Sequence, residues 1–157
     1  MEREVVMKSK WSIFVLACWV LLCLTGCGGN LETQRSVLRV GVVLYTQDDP
    51  FINALTDCLR EDLEEYETDS LKIIMTVRDG KNDQRLQDEV VEEILDAGCD
   101  ILVVDLVDRT EPSNIIKMAK NENIPVIFFN REPVKEDIMQ WEKLYYVGCD
   151  AEQSGVM

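Results

Sequence analysis

The residues best able to bind or react stand in short polar clusters, each directly after an apolar run. Tyr45 closes the run at residues 40–45 (VGVVLY), and Asp48, Asp49 and Phe51 follow it. Asp79 opens Asp-Gly-Lys-Asn-Asp-Gln after residues 71–77, Asp105 and Asp108 follow residues 101–104, and Asn130, Arg131 and Glu132 follow residues 126–129. Carboxylates and amides accept or exchange several hydrogen bonds with hydroxyls, at about 1.5–3 kcal/mol when one partner is charged. An aromatic face fits the apolar C–H side of a pyranose ring. The set suits a polyhydroxylated ligand. Catalysis finds less support, because the chain has no histidine, no GxGxxG, no GxxxxGK and no nucleophile–base pair.

Each candidate also has a purely structural alternative. Asp48 and Asp49 precede an expected helix, and one of them can cap it with Pro50 at the first helical position. For Asp48 the cap or a solvated loop is the expectation. Phe51 can be core, but Ile52 and Leu55 already supply the buried side of that helix, which favours ligand contact. Asp79 and Asn82 read as turn residues beside Gly80. Asp105 is either a ligand contact or a strand-end carboxylate holding backbone N–H groups. Asn130 is expected to contact ligand rather than to cap the loop to Pro133.

The apolar runs predict the elements that position these clusters. Residues 40–45, 71–77, 101–104, 126–129 and 145–147 read as strands rich in β-branched residues. Between them, Ile52, Leu55, Leu59, Leu63 and Tyr66 recur at helical steps, as do Leu86, Val90 and Ile94 with Val91 and Leu95. Gly98 is placed to end the second helix, and residues 113–122 form a third. Strands alternating with helices of this length indicate βαβ units: an α/β fold with a parallel sheet flanked by helices. In such a sheet, ligands bind outside the carboxyl ends of the strands, where the polar clusters fall.

The first 26 residues read as an export signal. Lys8 and Lys10 flank a run of fourteen residues, 11–24, whose only polar member is Ser12. As a helix it would rise about 21 Å, short of the ~30 Å hydrocarbon core of a membrane. Leu24-Thr25-Gly26-Cys27 ends it and resembles the bacterial lipobox, which implies acylation of Cys27 and a cell-membrane location, lipid-anchored on the extracytoplasmic face. Residues 27–37 then form the lipidated terminus and a flexible tether. Residues 1–26 hold three basic and two acidic side chains, so their loss takes the chain from 16 Lys+Arg and 30 Asp+Glu to 13 and 28, and the net charge from −14 to −15. That charge argues against nucleic acid as a partner and against electrostatic docking on anionic lipid. Cys58, Cys99 and Cys149 remain, with no CxxC pair, and are expected to be small buried apolar residues. No metal site is expected.

Several motifs resemble the galactose/glucose-binding proteins of sugar ABC transporters, a type I periplasmic-binding-protein family. They are Val40-Gly41-Val42 through Tyr45, Asp48-Asp49-Pro50-Phe51, Asn82-Asp83-Gln84, Leu106-Val107-Asp108, residues 125–133 (PVIFFNREP) and Tyr145-Tyr146-Val147-Gly148-Cys149-Asp150. The resemblance runs from about Leu38 to the last residue. It implies two lobes closing on a hexose, with residues 38–150 as the first lobe. Asp49 would accept a bond from a sugar hydroxyl, Phe51 would stack on a ring face, Asn130 would bond another hydroxyl, and Tyr45 would line the same wall. Gly148, Cys149 and Asp150 would lie at the first hinge strand, and residues 151–157 would begin the second lobe. On this resemblance the remainder of that lobe, with its sugar ligands and calcium loop, is missing, and the chain itself takes no cofactor. Its partners would be a monosaccharide and ABC permease subunits or a sugar sensor. The family often has Asn where Asp105 stands, which puts an extra negative charge beside the cleft.

Other classes fit less well. A receiver domain also puts acidic residues after its first and third strands, where Asp48, Asp49 and Asp105 would hold Mg²⁺ and take phosphate. It needs a Lys and a Ser or Thr after later strands, where this chain has Gly148-Cys149-Asp150 and Asn130. A sugar-responsive repressor needs a DNA-binding head in place of the signal. A lipoprotein that presents sugar to a membrane sensor kinase or chemoreceptor remains an alternative to uptake, since both would use the same liganded surface.

Overall fold

The computed structural model describes residues 35–149. The export signal, Cys27, most of the tether, Asp150 and residues 151–157 lie outside the described residues. The strands are β1 (Ser36–Leu44), β2 (Leu71–Asp79), β3 (Ile101–Val104), β4 (Val126–Phe129) and β5 (Leu144–Val147). The helices are α1 (Pro50–Glu65), α2 (Gln84–Asp96), α3 (Ser113–Asn121) and a single turn, α4 (Lys135–Ile138). The strands form one five-stranded sheet in the order β2-β1-β3-β4-β5, and every pairing is parallel. The α/β parallel-sheet fold expected from the sequence is the fold observed.

Strand alternation sorts the core into two layers. Val43, Leu102, Val104, Val126 and Phe128 point to one face and pack with Val91 and Ile94 of α2 and Ile115 and Ala119 of α3. Val40, Val42, Leu44 and Val103 point to the other and pack with Ile52 of α1. Full burial of a side chain such as Phe128 or Leu102 contributes about 1.5–3 kcal/mol. Gly41 permits the closeness of α2, because a Cβ there would run into the Ile94 side chain.

Local chemistry sets the helix ends. The Asp83 side chain accepts from Leu86 N to cap α2, and after its last turn Gly98 adopts φ 81°, the left-handed conformation that suits glycine. α1 begins at Pro50, with the Asp49 side chain accepting from the Phe51 N–H. The N-cap is therefore Asp49, while Asp48 is an exposed loop residue.

Two expectations need correction. The apolar stripe of α1 is only partly buried: Ile52 is sealed, but Leu55 is 38% and Tyr66 72% exposed. Among the described residues α1 alone packs on that face, while α2, α3 and Ile138 of α4 pack on the other, so the outer rows of α1 meet no neighbour there. Of the three cysteines only Cys99 is buried; Cys58 and Cys149 are exposed. Cys58 falls two residues past Thr56, off the buried stripe of α1, and Cys149 follows the last strand beyond the cover of the helices.

Candidate functional site

The register of the sheet brings the strand ends level. Val43 pairs with Val104, and Val104 with Phe128, so the residues after β1, β3 and β4 emerge side by side. Three interactions tie them together.

After β1, the Tyr45 hydroxyl donates to Asp49 Oδ2 at 2.5 Å, while the Phe51 N–H donates to Asp49 Oδ1 at 2.8 Å. These two donors, the hydroxyl first, hold the Asp49 carboxyl below its ordinary range, and the same bond raises the Tyr45 phenol. Asp49 thus serves as helix cap and as a charged acceptor at once. Phe51, in the first turn of α1, is 61% exposed, which removes the core alternative for it.

After β3, Asp105 is fully buried. Asn130 Nδ2 lies 3.0 Å and 3.3 Å from its two carboxylate oxygens. Burial pushes Asp105 up to about 6, against the Asn130 bond and the Arg131 charge, which pull it down. Asn130 itself takes φ 59°, a left-handed conformation that Asn tolerates better than most residues. Its N–H donates to the Val147 carbonyl at 3.3 Å, and its own carbonyl accepts from the Tyr146 hydroxyl at 3.1 Å.

Arg131 joins the two clusters. Its guanidinium carbon stacks 3.7 Å from the centre of the Tyr45 ring, and its Nη1 donates to the carbonyls of Leu106 and Val107 at 3.2 Å and 2.8 Å. One planar cation therefore braces the ends of β1, β3 and β4. The loop after β3 is held from below as well, since buried Gln87 donates to the Asp105 carbonyl at 2.8 Å and accepts from the Val107 N–H at 3.0 Å.

Other candidates serve turns. Asp79 accepts from the Gln47 and Lys81 N–H groups, and Asp108 accepts from the Thr110 N–H and hydroxyl, which lower it. The Asn82 N–H donates to the Tyr45 carbonyl at 2.7 Å. Sequence reasoning named Asp105 and Asn130 but not their bond, and gave no role to Arg131, Tyr146 or Gln87. The parallel order β1-β3-β4 holds the only signal for the first omission; stacking of Arg131 on Tyr45 has no sequence signal.

A groove of about 910 Å³ opens beside this cluster, between α1 and the sheet, lined by Phe51, Leu55, Leu59, Val103, Ile127, Phe129, Asn130, Arg131, Gly148 and Cys149 among others. Tyr45, Asp49 and Asp105 lie outside its lining. Its inner walls offer few partners for hydroxyls, so the polar chemistry belongs to its rim at the strand ends. Among the described residues no group of three or more His, Cys, Asp or Glu is placed to hold a metal ion, and no helix is long and apolar enough to cross a membrane.

Comparison with known proteins agrees with the fold. The D-galactose/methyl-galactoside binding periplasmic protein MglB of Haemophilus influenzae is 36% identical over 119 residues, 76% of this chain and 35% of the relative. A putative rhizopine-binding protein of Rhizobium meliloti is 28% identical over 127 residues, 81% of this chain and 40% of the relative. The chain thus spans little more than a third of the curated relatives it matches. Among solved structures, an ABC transporter solute binding protein from Bacillus halodurans with bound myo-inositol superposes with a TM-score of 0.53 at 26% identity, covering 64% of this chain and 33% of that one. Residues 40–157 match the family described as periplasmic binding protein domain, and the chain belongs to that family.

Proposed function

We propose that this chain is the first lobe of an extracytoplasmic solute-binding lipoprotein that captures a hexose, galactose or glucose, for an ABC transporter. The observation that carries this is the row of hydroxyl-binding groups along the carboxyl edge of a parallel sheet: Asp49 charged and capped, Phe51 exposed on the first turn of α1, and Asn130 pinned after β4. Asp49 accepts a hydrogen bond from a sugar hydroxyl, Phe51 covers the apolar face of its ring, and Asn130 meets a second hydroxyl. Tyr45 holds Asp49 in place, and the role is capture rather than catalysis. The galactose-binding relative supports a hexose; the structure with bound myo-inositol makes a cyclitol the ligand to exclude.

Calorimetric titration of the complete polypeptide with D-galactose, D-glucose, D-ribose and myo-inositol tests the ligand. Tighter binding of either hexose is expected, and preference for ribose or inositol overturns the assignment. Anchoring through Cys27 is tested separately by metabolic labelling with a palmitate analogue. Cys27→Ser is expected to abolish the label, and retention of label refutes the anchor. Vesicles carrying the cognate permease and ATPase should take up the sugar; binding without uptake, but with activation of a sensor kinase, would move the protein from transport to sensing.

A further inference from the structure

Asp105 has no access to solvent, and its side-chain partner is the amide of Asn130. Chemistry decides which end of that amide turns inward. An ionised carboxylate can only accept, and only the NH₂ end of an amide donates. The carboxylate therefore selects one of two amide orientations that are otherwise nearly identical in shape. The backbone of Asn130 leaves little else to vary, because its N–H is held by Val147 and its carbonyl by the Tyr146 hydroxyl. With the NH₂ group engaged by Asp105, the amide oxygen is the end left for the groove that Asn130 lines with Phe51.

We propose that Asp105 is a positioning residue that does not touch ligand: its charged carboxylate turns the Asn130 amide so that an acceptor faces the ligand, and its protonated form turns the amide over so that donors face it instead. The inference rests on the hexose-binding role proposed above and specifies its second contact. With Asp105 charged, Asp49 and Asn130 both accept hydrogen bonds from hydroxyls, so the site selects a ligand that donates twice. A protonated carboxyl carries an O–H that donates to the amide oxygen, which reverses the preference; the proton comes from solvent.

The groups facing Asp105 place this change within a mild range. Burial raises it to about 6, and the Asp49 charge adds to that, while the Asn130 bond, the Arg131 guanidinium and the Arg131 N–H oppose it. Tyr45 from the end of β1 and Tyr146 from β5 also face it, both raised from a phenol's ordinary value and so uncharged here. Gln87, reaching up from α2, bonds the Asp105 carbonyl and carries no charge.

The test has a ligand-free arm and a ligand arm, both on the full chain. In the first, the side-chain ¹⁵NH₂ resonances of Asn130 are followed from about pH 4.5 to about pH 7.5. They are expected to titrate with a midpoint near 6 and to stay fixed in Asp105→Asn. Resonances that do not move in the wild type, or that move equally in the variant, overturn the proposal. In the second arm D-galactose is titrated by chemical shift. If only the charged form presents the acceptor, affinity at about pH 5 falls about tenfold below that at pH 7.5, following the fraction of competent protein, and Asp105→Asn gives a flat profile. A flat or inverted wild-type profile overturns the proposal. If the resonances titrate as expected but no hexose binds at any pH, the hexose role falls and the carboxylate's control of the amide stands.

Discussion

Asp49 and Asp105 sit at the ends of neighbouring strands, carry the same functional group, and are driven in opposite directions. Asp49, at the mouth of the site, receives a phenol and a backbone N–H and is held below its ordinary range. Asp105, sealed beneath the Asn130 side chain, is pushed up to about 6 by burial although the Asn130 amide and the Arg131 N–H both oppose it. Access to water decides the outcome for Asp105 and the donors decide it for Asp49, not the residue type. One carboxylate keeps its charge under mildly acid conditions; the other is poised to gain a proton there.

The comparison breaks first at Asp49. Asp49→Ala should weaken hexose binding by about thirtyfold, since it strips a charge-assisted acceptor from the site. It should also lower the thermal midpoint through loss of the α1 cap. Asp49→Asn, which keeps the cap, should restore the midpoint but not the affinity. A change in Kd of less than about threefold for Asp49→Ala would reduce Asp49 to a cap alone.

Asp105 should show itself in stability. Its value in the folded protein lies above the unfolded one, so its favourable contribution is complete below about pH 4 and disappears as pH rises through about 6. The shift corresponds to on the order of 1–2 kcal/mol once partial screening at the strand ends is allowed for. Asp105→Asn should therefore gain stability relative to the wild type between pH 4 and pH 7, read as diverging urea midpoints. Parallel midpoints across that range would mean the carboxylate is better solvated than its burial indicates.

Smaller effects sharpen the contrast. Tyr45→Phe removes the phenol from Asp49 and should cost about fivefold in hexose affinity, with the Asp49 carboxyl rising towards its ordinary value in a ¹³C titration. Arg131→Lys keeps the charge near both carboxylates but loses the planar stack on Tyr45 and the fork to two carbonyls. It should weaken binding only about two- to threefold while loosening the loop after β3.

Much of this was legible in the chain. The runs 101–104 and 126–129 match β3 and β4 residue for residue, because short apolar runs inside a parallel sheet leave little freedom. The polar clusters after residues 40–45, 101–104 and 126–129 singled out Asp49, Phe51, Asp105 and Asn130, and the sheet register brings those strand ends side by side. Opposite behaviour of the two carboxylates was not legible, since it depends on Asn130 lying across Asp105 and Arg131 lying across Tyr45, contacts 25 and 86 positions apart in the chain. The outer stripe of α1 misled for a related reason: helical periodicity says which side is apolar, not whether anything lies against it. Leu55 has the right spacing but stays 38% exposed among the described residues.

The Gln87 bridge carries a consequence for motion. A loop that leaves a strand at the mouth of a binding site would ordinarily open in local fluctuations far more often than the molecule unfolds. Here the Asp105 carbonyl and Val107 N–H are fastened to a side chain rooted in the core-facing side of α2, itself packed among Val90, Val91 and Ile94. The Val107 amide should consequently trade its hydrogen for deuterium on the slow timescale of α2 rather than the fast one of the surface. Irregular in backbone, the loop should open at Val107 no more often than the helix it is fastened to.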